Sequence, residues 1–111
     1  MKKEKIILNV ELDDSNIPSG ISWQNCDQAG ESTTTEAKAF LLSLFDKSNR
    51  ETVKIDLWTK EMQVSEMDRL MYYTLKGLAD TYKKATRNET LGDDLAHFAK
   101  YFGEKTEILA G

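Results

Sequence analysis

The residues suited to chemistry are few and far apart. His97 is the single histidine, and Asp93 stands four residues before it, one helical turn away. An Asp/His pair at that spacing can touch a cation, but two ligands are too few for a protein metal site. Cys26 is the single cysteine, so an internal disulfide is excluded. A catalytic thiol needs a base or an electropositive pocket, and no histidine lies near Cys26 in sequence. The six glycines are scattered and form no phosphate loop, and no G-x-S-x-G run is present. Carboxylates are plentiful, yet none sits in an apolar run that would raise its pKa. Asp56, between Ile55 and Leu57, alternates outward as a solvated strand residue. The expectation is a protein that is not an enzyme, with no catalytic, cofactor-binding or metal-binding residues.

If the chain works by binding instead, its elements must present a surface. Ile6, Leu8, Val10 and Leu12 alternate with Ile7, Asn9 and Glu11, which predicts a half-buried strand over 5–12. A turn-rich connection runs from Asp13 to Gly20, and a short strand follows over 20–25. Residues 27–35, with Asp, Gln, Gly and a run of Ser and Thr, read as a loop. The apolar run 37–45 fits either a helical stripe or a strand apolar on both sides. Its shortness, and the turn residues Asp46-Lys47-Ser48-Asn49-Arg50 after it, favour a strand in a hairpin with 52–58.

From Ser65 the period changes to that of a helix, predicted over 66–86. Met67, Leu70, Met71, Thr74, Leu75, Leu78, Tyr82 and Ala85 share one stripe, with Arg69, Lys76, Asp80, Lys83 and Arg87 opposite. Ser65 is the expected N-cap, and Gly77, at the stripe's edge, the expected point of close backbone approach. A second helix is predicted over 91–104, on Leu91, Leu95, Phe98, Ala99 and Phe102, with Thr90 as cap. Strands followed by helices argue for an α+β domain spanning 1–111. Its expected architecture is a four-stranded antiparallel sheet, with two C-terminal helices packed on one face.

Two surfaces suit an interaction. If Leu41 and its alternates face the helices, Phe40, Leu42 and Leu44 face outward, and Trp58 joins them if the register permits. This patch is either an interface or is covered by the loop at 27–35. On the first helix, Tyr72 and Tyr73 flank the row of Arg69 and Lys76. That composition occurs at interfaces, but a solvated helix face, with both rings lying beside lysine stems, is the favoured reading.

Composition narrows the classes further. In 111 residues, 40% are hydrophobic and 31% charged, an ordinary globular balance. Nineteen acidic residues against 15 basic ones give a net charge of −4, which argues against a nucleic-acid partner. No run approaches the ~20 apolar residues of a membrane helix. After Met1-Lys2-Lys3 only Ile6, Ile7 and Leu8 precede polar Asn9, short of an export signal's apolar core. The expected location is the cytoplasm.

Residues 53–64, Val-Lys-Ile-Asp-Leu-Trp-Thr-Lys-Glu-Met-Gln-Val, lead into Met67-Asp68 and then Leu78-Ala79-Asp80-Thr81-Tyr82 with Ala85-Thr86. Together with Ile7 to Asp13, Ile21-Ser22-Trp23, Leu42 to Asp46 and Gly103 to Glu107, this stretch resembles the gliding-motility protein GldC family. The likeness covers nearly the whole chain. It implies a small cytoplasmic protein linked to surface gliding, and carries over no catalytic or ligand-binding residue.

The expected function is therefore an accessory interaction protein without enzymatic activity. It would contact a protein of the gliding apparatus, or a second copy of itself, through Phe40, Leu42, Leu44, Trp58, Tyr72 and Tyr73. The alternative is a small-molecule-binding domain with a pocket between sheet and helices, lined by Trp23, Tyr82 and Tyr101.

Overall fold

A computed structural model describes residues 2–26 and 32–109. The described chain is α+β: five strands, then two helices. It divides into two compact units, Met1–Met62 and Gln63–Gly111.

The first unit holds β1 (Lys5–Leu12), β2 (Pro18–Cys26), β3 (Ser32–Ala37), β4 (Ala39–Phe45) and β5 (Thr52–Trp58). The strands form two antiparallel sheets, β1-β2-β3 and β4-β5. The single four-stranded sheet expected from the sequence is thus corrected to one of three strands and one of two. The reason lies at Lys38. The run from Ser32 to Phe45 breaks there, so that β3 pairs back onto β2 while β4 pairs forward onto β5. The Lys38 carbonyl accepts from the Thr59 amide at 2.8 Å, outside either ladder.

The loop expected at 27–35 is also corrected: residues 32–35 belong to β3, and 27–31 lie outside the described residues. Thr33, Thr34 and Thr35 are β-branched and suit a pleated strand. Their ladder partners on β2 are Asn25, Gln24 and Trp23, and Gln24 Nε2 donates to Thr34 Oγ1 at 2.9 Å.

The connection between β1 and β2 is built around Asp13. Its Oδ1 accepts from the amides of Ser15 at 2.8 Å and Ile17 at 3.0 Å. Asn16 takes the left-handed conformation at φ 62°, which asparagine tolerates well. Lys60 Nζ closes on Asp13 Oδ2 at 3.1 Å, tying this turn to the segment after β5. Backbone donors and the Lys60 ammonium hold the Asp13 carboxyl below its ordinary value of 3.8. The β4–β5 hairpin closes as its turn residues predict. The Asp46 amide donates to Glu51 O at 2.8 Å, and Arg50 is left-handed at φ 60°.

The second unit is a pair of helices, α1 (Val64–Thr86) and α2 (Glu89–Lys105). Both start earlier than the sequence suggested. Gln63, not Ser65, is the N-cap of α1, and its amide donates to Glu66 Oε1 at 3.0 Å. Asn88, not Thr90, caps α2, its Oδ1 accepting from the Leu91 amide at 3.1 Å. Arg87 reverses the chain in the left-handed conformation at φ 60°.

The buried residues are Tyr72 and Ala79 on α1, and Gly92, Ala99 and Gly103 on α2. Each set repeats at about helical period, so small residues bring the two backbones together. Asp93 accepts a hydrogen bond from the Lys83 ammonium, and that pairing holds Lys83 above its ordinary value of 10.5. Gly77 is not a contact point: it is exposed, and a β-carbon built there meets nothing within 4 Å.

Candidate interaction face and cleft

The β4–β5 register decides which apolar side chains share a face. Phe40 stands opposite Leu57, Leu42 opposite Ile55, and Leu44 opposite Val53. Residues directly opposite in a ladder point the same way, so these six form one apolar face. Along it, Leu44 is 53% exposed, Val53 49% and Ile55 44%. Phe40, Leu42 and Leu57 are half-buried.

The other face pairs Ala39 with Trp58, Leu41 with Asp56, and Ser43 with Lys54. Lys54 Nζ reaches Ser43 Oγ at 3.3 Å and Asp56 Oδ2 at 3.2 Å. The structure therefore brings Phe40, Leu42 and Leu44 together as expected. It separates Trp58 from them, on the opposite side.

The tyrosine pair also divides. Tyr72 is buried between the helices and is no surface residue, a correction to the sequence reading. It shares the buried face with Ala79, one position beyond Met71 and Leu78 of the predicted apolar stripe. Tyr73 is half-exposed, with the Arg69 guanidinium 5.0 Å from its ring centre.

The β1-β2-β3 sheet has two unlike faces. Ile6, Leu8 and Val10 stand opposite Asn25, Trp23 and Ile21 on the apolar one. The other carries Asn9, Ser22 and Glu36 in one row and Glu11 with Gly20 in the next. At that second row a cleft of about 560 Å³ opens. Glu11, Glu36 and Glu61 bring carboxylates to it, and Ser19, Ser22 and Thr34 bring hydroxyls.

Two local features shape the cleft. Gly20 has no side chain, and the Glu11 carboxylate lies over it: a β-carbon there would come within 3.2 Å of Glu11 Oε2. Thr59 lines the cleft at 3% exposure, and its Oγ1 has no hydrogen-bond partner. Sequence reading missed this site because Glu11, Glu36 and Glu61 come from separate segments. The sole local signal was Glu11 on the polar side of an alternating strand.

His97 and Cys26 are not brought into a site. Asp93 is engaged by Lys83 rather than by His97, and among the described residues no three His, Cys, Asp or Glu side chains are placed to hold a metal ion. No helix among them is long and apolar enough to cross a membrane.

These features define an α+β protein with two C-terminal helices, an apolar two-stranded face and an acidic cleft. The chain belongs to the gliding motility-associated GldC-like family, whose model matches residues 18–108. No curated protein and no solved structure matches it.

Proposed function

We propose that this chain is a non-enzymatic accessory protein of bacterial gliding that works in the cytoplasm by protein–protein contact. The contact surface is the apolar face of β4–β5, and the occupant is a protein of the gliding apparatus. One observation carries the reading: the register that aligns Phe40, Leu42 and Leu44 with Leu57, Ile55 and Val53. Membership of a gliding-motility family supports the process. Covering such a face is favourable by roughly 25 cal/mol per Å² of apolar area removed from water. A charge placed there must be desolvated without a partner, which opposes contact.

The test is replacement of the gene's product in gliding cells by Leu44→Asp, with Ser43→Asp as control on the opposite face. Leu44→Asp is expected to abolish gliding support at wild-type protein level and unchanged melting temperature. Ser43→Asp is expected to glide normally. Normal gliding with Leu44→Asp would refute the reading. Light scattering of the wild-type chain over a concentration series separates a second copy from a different protein as occupant. A dimer lost in Leu44→Asp would assign the face to self-association.

A further inference from the structure

β1 is an edge strand: among the described residues its ladder runs to β2 alone. Its outer side therefore presents a row of backbone N–H and C=O groups that a further strand would satisfy. Seven of its eight residues are exposed. Natural edges are commonly blunted by a proline, a central charge or a bulge. From Lys5 to Glu11 this edge has no proline, and its charges stand only at the two ends. The register shift against β2 falls after Glu11. Ile6, Leu8 and Val10 share one face, and Ile6 is 71% exposed.

That segment is complementary to itself. Two copies of one strand can pair antiparallel about a two-fold axis, and directly opposite side chains then point to the same face. Because side chains alternate, the axis must pass at a residue rather than between two. Centred on Leu8, the pairing uses the whole regular segment. Leu8 meets Leu8 of the second copy, Ile6 meets Val10, Ile7 meets Asn9, and Lys5 meets Glu11. Each end then carries one Lys–Glu pair, and the apolar row is unbroken. Moving the centre to Ile7 sets Lys5 opposite Asn9, and moving it to Asn9 sets Ile7 opposite Glu11. Among the described residues Lys5 and Glu11 have no ion pair within the chain. β5 reads with a similar symmetry about Ile55, but its charges, Lys54 and Asp56, are already paired with each other.

We infer that the β1 edge binds a second copy of this chain, β1 to β1 antiparallel about Leu8, joining two three-stranded sheets into one. The backbone ladder holds the copies together, and the Lys5–Glu11 pairs fix the register. This contact does not use the apolar face of β4–β5 and does not rest on its role.

The experiment is sedimentation velocity of the full chain over a concentration series. A reversible dimer is expected. Lys5→Glu and Glu11→Lys each set like charges opposite one another at both ends, and each should weaken the dimer by about tenfold. The double variant exchanges the two charges and should restore it to within about threefold of wild type. Leu44→Asp should leave it unchanged. Oxidation of cysteine variants in a Cys26→Ser background reads the register. Leu8→Cys should give a disulfide-linked dimer, because its two copies face each other across the axis. Ile6→Cys should not, because its copies stand about four residues apart along the ladder, roughly 14 Å. A monomer at every concentration would overturn the proposal, as would a dimer indifferent to both charge reversals or a double variant no tighter than the single ones. Equal cross-linking of Ile6→Cys and Leu8→Cys would overturn it too. So would a dimer lost in Leu44→Asp, which would move the association to the apolar face.

Discussion

The ring of Tyr72 occupies the space a side chain on Gly103 would need. A β-carbon built on Gly103 would lie 2.7 Å from Tyr72 Cε1 and 3.0 Å from Leu109 Cδ1. Tyr72 is itself buried, so the ring has little freedom to retreat. The two helices are therefore spaced by an aromatic ring on one and bare backbone on the other.

Gly103→Ala is accordingly expected to destabilise the chain. Alanine gains about 1 kcal/mol in helix propensity over glycine, but overpacking a contact of this kind loses roughly 1–3 kcal/mol. A lower urea midpoint with an unchanged slope is the expected result. A midpoint at or above wild type would show that the helices separate without penalty.

Gly77→Ala should do the opposite. Gly77 is helical, exposed and free of neighbours, so a methyl group meets nothing while the unfolded chain loses conformational freedom. The expected gain is about 0.5–1 kcal/mol. Thermal unfolding checks it, and a loss of stability would reveal a contact made by this position.

Asp13 gives a pH signature. Its carboxyl titrates below the ordinary 3.8 because the Ile17 and Ser15 amides and the Lys60 ammonium favour the charged form. A group with a depressed native pKa stabilises the fold above its unfolded value and loses that contribution as pH falls through the native value. The stability difference between wild type and Asp13→Asn should therefore be constant above about pH 5. It should shrink as the solution is acidified below 3.8. Paired denaturation curves from pH 7 to pH 2.5 test this, and a difference that does not vary with pH would exclude a charge effect.

How much was legible in the sequence follows from how local each signal is. The bounds of β1 and β5 follow directly from alternation, since Ile6 to Leu12 and Val53 to Leu57 switch faces at every residue. The helices follow from their period, to within two residues at each end. β3 was hidden because Thr33, Thr34 and Thr35 look like a loop until Asn25, Gln24 and Trp23 are placed beside them. The break at Lys38, which divides the strands into two sheets, is likewise set by partners on either side rather than by the local run. Gly77 stands out in the sequence for its place on a stripe, whereas Gly92 and Gly103 matter for what the other helix brings to them. The cleft was invisible for the same reason: its three carboxylates meet only after β1, β3 and the segment after β5 have taken their places.

Among the described residues the strand ladders join only neighbours in sequence: β1 with β2, β2 with β3, β4 with β5. The helices also follow one another, with Arg87 and Asn88 alone between them. No strand pairing among the described residues closes a longer span of chain than that between Lys5 and Cys26. Closing short spans sacrifices little chain entropy, and topologies dominated by local pairings reach their native state quickly. Each hairpin can thus form as soon as its own residues have left the ribosome, without waiting for a distant segment still to be synthesised.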